Sequence, residues 1–136
     1  MIIGIGHDLC DVSRVAKLLA GSSGDKFMAR VLSGGEPVLA HSLGDARRAE
    51  FVAGRFAAKE AVAKALGCGI GASVGFTDIE IGRDERGKPQ CRLSDKAWER
   101  LGYDGSVRPL MHITITHEKG LASAFAVAEL PGGSPS

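Results

Sequence analysis

Glu60 and Lys64 stand four residues apart at the end of a run that reads FVAGRFAAKEAVAKAL from Phe51 to Leu66. Alanine and other good helix formers dominate it, with one glycine and no proline, so the run predicts a helix. Apolar residues recur three and four apart at Ala49, Val52, Ala53, Phe56 and Ala63. Glu60 falls four after Phe56, on the same stripe. A carboxylate and an ammonium therefore interrupt a face expected to be buried. A solvated Glu–Lys pair one turn apart contributes only about 0.2–0.5 kcal/mol. A buried pair needs a partner, a metal or a ligand. Two further residues invite the same question. Asp8 closes the opening run IIGIGHDL; it is either a turn or capping residue or a metal ligand at a strand end. His117 ends an alternating strand pattern, where a histidine is either a satisfied structural residue or a proton-handling one.

The elements that must position these groups are legible in outline. Ile2–Leu9 predicts a buried strand, and Gly4 and Gly6 would let backbone or ligand come close. The third glycine of a dinucleotide fingerprint is missing, since Leu9 stands there. Asp11–Ala20 predicts a short amphipathic helix with Val12, Val15, Ala16 and Leu19 inward and Arg14 and Lys17 on another face. Residues 27–32 continue as a second helical piece carrying Lys26 and Arg30. Pro37 suits the first turn of a third. Asp45 is placed to cap the long central helix, and Gly67 to end it. The stretch GCGIGASVG after it is either a flexible turn or a loop whose amides approach a phosphate. Residues 77–81 and 90–93 predict a hairpin, Ser94 caps a helix to Leu101, and residues 111–116 and 121–130 predict two strands. The composition of PGGSPS, residues 131–136, is that of a disordered tail.

The bulk properties narrow the classes. A chain of 136 residues fits one domain, residues 1–130, with a core small enough to welcome association. With 44% hydrophobic residues and a net charge of +1, it lacks the basic profile of a general nucleic-acid binder. No run reaches the length of a membrane span, and the first residues enter a strand pattern rather than a signal peptide. Cys10, Cys68 and Cys91 form no CxxC and fit reduced thiols in the cytoplasm.

Four stretches, in order, resemble one family. Gly4-Ile5-Gly6-His7-Asp8 with Arg14 is similar to its N-terminal motif. Arg55-Phe56-Ala57-Ala58-Lys59-Glu60-Ala61 with Lys64-Ala65 and Gly67-Cys68-Gly69-Ile70 resembles its signature. Ile79-Glu80-Ile81 with Gly87-Lys88-Pro89 resembles its hairpin, and Ile113-Thr114-Ile115-Thr116-His117-Glu118 its penultimate strand. The family is the holo-(acyl-carrier-protein) synthases, small bacterial 4′-phosphopantetheinyl transferases. The chain departs from them in Thr114 and Thr116, where serines are usual, and in Gly34-Gly35, where a threonine-led helix start is common; Glu36 keeps the acidic position.

The resemblance implies an α+β domain, a small antiparallel sheet packed against a long central helix, assembled as a trimer with sites between subunits. It implies transfer of the phosphopantetheine arm of coenzyme A to a serine of an acidic acyl carrier protein, for fatty acid or polyketide synthesis. It assigns Mg²⁺ to Asp8 and Glu60, catalysis to Glu60, Lys64 and His117, and coenzyme A to Arg55, Lys64, Gly67, Gly69, Thr116 and His117. Arg14 and Lys17 would dock the carrier protein, with Lys26 and Arg30 assisting. Two other classes remain to be weighed. An HD-type phosphohydrolase, prompted by His7-Asp8, requires an all-helical fold and further ligating histidines. A non-catalytic binding module of the same architecture would show no Mg²⁺ dependence.

Overall fold

A computed structural model describes residues 1–103, 105 and 107–132. Residues 133–136 of the expected tail lie outside the described residues. The elements run β1 (Ile2–Asp11), α1 (Val12–Ala20), α2 (Gly24–Val31), α3 (Glu36–His41), α4 (Asp45–Ala65), a 3₁₀ turn (Phe76–Asp78), β2 (Ile79–Arg83), β3 (Pro89–Leu93), α5 (Asp95–Arg100), β4 (Leu110–Glu118) and β5 (Leu121–Glu129). β1, β5 and β4 form an antiparallel sheet in that spatial order, and β2 pairs with β3 as a separate hairpin. The α+β expectation holds: α4 lies across the three-stranded sheet, and α1, α2, the hairpin and α5 close around it.

Small residues set the helix-to-sheet distance. Ala122, Ala124, Ala126 and Ala128 of β5 are fully buried, as are Ala57, Ala58 and Ala61 of α4. A Cβ on Gly6 would lie 1.9 Å from the Ala61 carbonyl oxygen, and one on Gly4 would lie 1.7 Å from that of Ala65. The close approach anticipated at these glycines is thus an approach of backbone to backbone.

The local punctuation follows side-chain chemistry. Asp11 caps α1, accepting from the Ser13 amide at 2.9 Å and hydroxyl at 2.7 Å, and these bonds hold its carboxyl below the usual range. Ser94 caps α5 by accepting from the Ala97 amide at 3.1 Å. Gly67, at φ +80°, closes α4 as expected. Asp45 does not cap α4. Gly44 holds the cap position, and the Asp45 side chain is fully solvated. Ala16 is exposed, because α1 turns only Val15 fully inward.

The expected stripe on α4 is corrected more substantially. Twelve of its residues between Ala49 and Ala65 are buried, so beyond its first turns the helix has almost no solvent face. Its fully buried charge is Lys59 rather than Glu60 or Lys64. Lys59 Nζ donates to Glu36 Oε1 at 2.7 Å and to the Val31 carbonyl at 2.7 Å. Burial pushes the Lys59 ammonium down, while Glu36 opposes that shift. The Glu36 carboxylate also accepts from the Ser33 and Ile81 amides, each at 2.8 Å. One buried carboxylate thereby joins the end of α2, α3, α4 and β2.

Three substitutions test this frame. Gly6→Ala drives a methyl into the α4 backbone and should destabilise by about 1–3 kcal/mol. Gly82→Ala, with nothing within 4 Å of its Cβ position, should leave the melting temperature unchanged or slightly raised. Glu36→Gln should cost about 3–5 kcal/mol, because it leaves Lys59 buried without its counter-charge. Thermal or urea unfolding reads all three.

Candidate active site

Asp8 lies on the face of β1 that meets α4, two residues after Gly6. Its Oδ1 accepts from Lys64 Nζ at 2.9 Å, and Lys64 also reaches the His7 carbonyl at 3.2 Å. Lys64 therefore pairs across to the strand and makes no ion pair with Glu60 one turn before it. The Lys64 side chain is half exposed and that of Asp8 is 18% exposed, so the contact opens to solvent. Its hydrogen bond to Asp8 raises the Lys64 ammonium above its ordinary range. Glu60 is half-buried beside them. Burial first, and then the Asp8 charge, push its carboxyl up, with Lys64 pulling the other way. Two carboxylates and one cation thus converge where strand β1 crosses the last turns of α4.

Those two carboxylates suit a hard dication. Mg²⁺ takes one or two carboxylates and completes its octahedron with waters and phosphate oxygens. The like-charge repulsion felt by Glu60 is what such an ion would relieve. Among the described residues no three His, Cys, Asp or Glu side chains converge, so the ligand-rich set of a zinc or HD-type centre has no counterpart.

The remaining candidates divide by position. Gly67 (φ +80°) and Gly69 (φ +66°) follow α4 directly, next to Lys64. His117 lies elsewhere. Its Nε2 donates to the Glu50 carbonyl at 2.9 Å, and a Cβ on Gly54 would lie 2.9 Å from that nitrogen. Glu50 and Glu60 are ten residues apart on one helix, about 15 Å along its axis. Within one chain His117 does not join Asp8, Glu60 and Lys64. Arg55 belongs to the His117 half of α4. It is buried, with its guanidinium 4.4 Å over the Phe51 ring and Nε 3.6 Å from Glu36, too long for a hydrogen bond. That Nε has no partner among the described residues. Burial pushes the Arg55 guanidinium down, and Arg83 adds to the effect. Thr116 alternates with His117 and so points to the sheet face turned away from α4. Thr116 and His117 thus lie on opposite faces of the sheet within one chain.

Arg14 and Lys17 are exposed on α1, as are Lys26 and Arg30 on α2. Leu18 stands beside them with 43% of its surface exposed. The three thiols are free, and burial holds that of Cys91 up to about 12, so it is inert at neutral pH.

Sequence reasoning missed Lys59 and Glu36 as the buried ion pair. The only available signal was a second lysine beside Glu60 with no place on the polar face of an amphipathic helix.

Comparison with known proteins gives this arrangement its relatives. Residues 4–112 match the family described as the 4′-phosphopantetheinyl transferase superfamily. A holo-[acyl-carrier-protein] synthase of Bacillus cereus is 45% identical over 129 residues, 95% of this chain and 97% of its own. A crystallised holo-(acyl-carrier-protein) synthase from Bacillus anthracis in complex with CoA (3′,5′-ADP) is 43% identical. It matches with a TM-score of 0.78, over 95% of this chain and 97% of that one. The enzyme of that name from Neisseria meningitidis is 35% identical and matches with a TM-score of 0.83, over 95% and 99% of the two chains. The protein with this glycine-seated strand, buried helix and carboxylate pair belongs to the holo-(acyl-carrier-protein) synthases of the 4′-phosphopantetheinyl transferase superfamily.

Proposed function

We infer that this chain is an enzyme that moves the 4′-phosphopantetheine arm of coenzyme A onto a serine hydroxyl of an apo acyl carrier protein. The observation that carries the reading is the contact of Asp8 with Lys64 beside Glu60, a cation and two carboxylates gathered at one solvent-open point. The serine oxygen forms a bond to the phosphorus bearing pantetheine. The bond from that phosphorus to the bridging oxygen breaks, and the electron pair leaves with 3′,5′-ADP. The nucleophile belongs to the partner, so the enzyme supplies charge neutralisation and positioning.

Asp8 and Glu60 would hold Mg²⁺, which when bound neutralises charge on the diphosphate. Lys64 stands beside them as a point charge for the same phosphates. Glu60, raised by burial and by Asp8, is poised to accept the serine proton, directly or through a water it orients. The Gly67 and Gly69 amides donate to the Lys64 and Ala63 carbonyls at 2.9 and 3.3 Å, so these glycines would shape the turn beside Lys64 rather than supply free amides.

A complete site draws on two copies of the chain, in a trimer. Two features support this. His117 and Arg55 sit along α4 away from the carboxylates. The outer sheet face exposes Ile5 (65%), Leu9 (55%), Phe125 (47%) and Leu121 (44%), an apolar surface that a second copy would cover. Three free thiols suit the reducing cytoplasm, and among the described residues no helix is long and apolar enough to cross a membrane.

Incubation with coenzyme A, Mg²⁺ and an apo carrier protein, read by intact-mass spectrometry, should show the added arm on the carrier. No mass change would overturn the function. Asp8→Ala and Glu60→Ala should each remove most transfer while the melting temperature holds. Lys64→Ala should lower the rate by about 10²–10³. Near-normal turnover of either carboxylate variant at low Mg²⁺ would remove it from the metal site.

Arg14 and Lys17 form no ion pair among the described residues, which leaves them free for an acidic carrier protein. Arg14→Glu should raise KM for the carrier and leave KM for coenzyme A nearly unchanged. The wild-type KM for the carrier should rise with ionic strength. Unchanged carrier kinetics in the variant would end the docking role.

A further inference from the structure

The segment that leaves α4 beyond Lys64 carries Gly67, Gly69, Gly71 and Gly75 within nine residues. Such a segment loses more conformational entropy on ordering than one without glycine would. Its near end is held by the helix: the Cys68 and Gly69 amides both donate to the Ala63 carbonyl, at 3.1 and 3.3 Å. Its far end is held by a different element. Arg100, in the last turn of α5, donates from Nε to the Ser73 carbonyl at 2.8 Å and from Nη2 to Asp78 Oδ2 at 2.7 Å. The same Oδ2 accepts from the Gly75 amide at 2.8 Å. Ser94, at the other end of α5, donates its hydroxyl to Asp78 Oδ1 and its amide to the Asp78 carbonyl, each at 2.8 Å. Both ends of one short helix thus grip Asp78, and one guanidinium spans Asp78 and the backbone of the loop. Burial alone would raise the Asp78 carboxyl, but the bonds from Gly75, Ser94 and Arg100 outweigh it and hold it low.

We propose that Arg100 is a positioning residue for coenzyme A: clipped to Asp78 and the Ser73 carbonyl, it fixes the glycine loop 67–75 in the shape that leaves room for the cofactor beside Lys64. The inference rests on the proposed function and adds a residue outside the charge cluster. Arg100 touches neither Asp8, Glu60 nor Lys64. It acts by removing the ordering cost from the binding step, since a preorganised loop loses little freedom when the ligand arrives. A planar guanidinium can serve both acceptors at once, whereas a lysine offers one point charge.

The test measures kcat, KM for coenzyme A and KM for the carrier protein in Arg100→Ala, Arg100→Lys and Asp78→Asn. It also measures amide hydrogen exchange over residues 67–75. Arg100→Ala and Asp78→Asn should raise KM for coenzyme A by about five- to tenfold. Both should leave kcat at saturating coenzyme A and KM for the carrier within about twofold, with faster exchange confined to the loop. Arg100→Lys keeps the charge and the aliphatic stem, so it should fold normally and fall between wild type and Arg100→Ala. Faster loop exchange with an unchanged KM for coenzyme A would overturn the proposal. So would a fall in kcat at unchanged KM. A wild-type chain that transfers nothing from coenzyme A would overturn the function itself and this inference with it, a result distinct from any shown by the variants alone.

Discussion

The contact of the α4 backbone with strand β1 sets the positions of Asp8, Glu60 and Lys64. At Gly4 and Gly6 the strand meets the carbonyls of Ala65 and Ala61 with no side chain between them. Lys64 lies between those two carbonyls in sequence, and Asp8 follows Gly6 on the same strand face. The register of glycine against alanine therefore sets the 2.9 Å reach of Lys64 to Asp8. The four buried alanines of β5 extend the same spacing across the sheet. Close packing of this kind tolerates no added volume, because any methyl must displace backbone rather than a flexible side chain.

A second constraint acts on the opposite side of α4. Glu36 and Lys59 are fully buried, and each satisfies several groups from different elements. A well-packed apolar substitute could match such a junction in stability. What the ionic version adds is direction: one carboxylate oxygen faces Lys59 and the Ser33 amide, and the other faces the Ile81 amide. The hairpin and α3 thereby dock on α4 in one arrangement. Arg55 shares the carboxylate only at a distance, which leaves part of its guanidinium without a partner inside the chain.

Much of this was legible in the sequence, and the limits have physical causes. Alternation of Met111, Ile113 and Ile115 with His112, Thr114 and Thr116 gave the strand and its two faces. Ser94 and Gly67 announced the ends of their helices through cap chemistry that acts over a few residues. The stripe on α4 misled because periodicity presumes a solvent face, and this helix is enclosed on nearly every side. Lys59 is adjacent to Glu60 in sequence, yet its partner is Glu36, 23 residues away. Likewise Lys64 turned from Glu60 to Asp8, 56 residues away. Pairing of charges follows from how layers stack, and composition and spacing carry no record of it. The same holds for the separation of His117 from the carboxylates.

The ammonium of Lys64 already balances Asp8 in the isolated chain. A domain whose ligand carboxylates repel each other without relief must await its ion before it can settle, and its abundance then tracks the supply of that ion. Here an internal counter-ion stands in place from the moment the helix docks on the strand. The strand and the helix can therefore close on each other with that carboxylate already balanced, and folding at this point calls for no added cation.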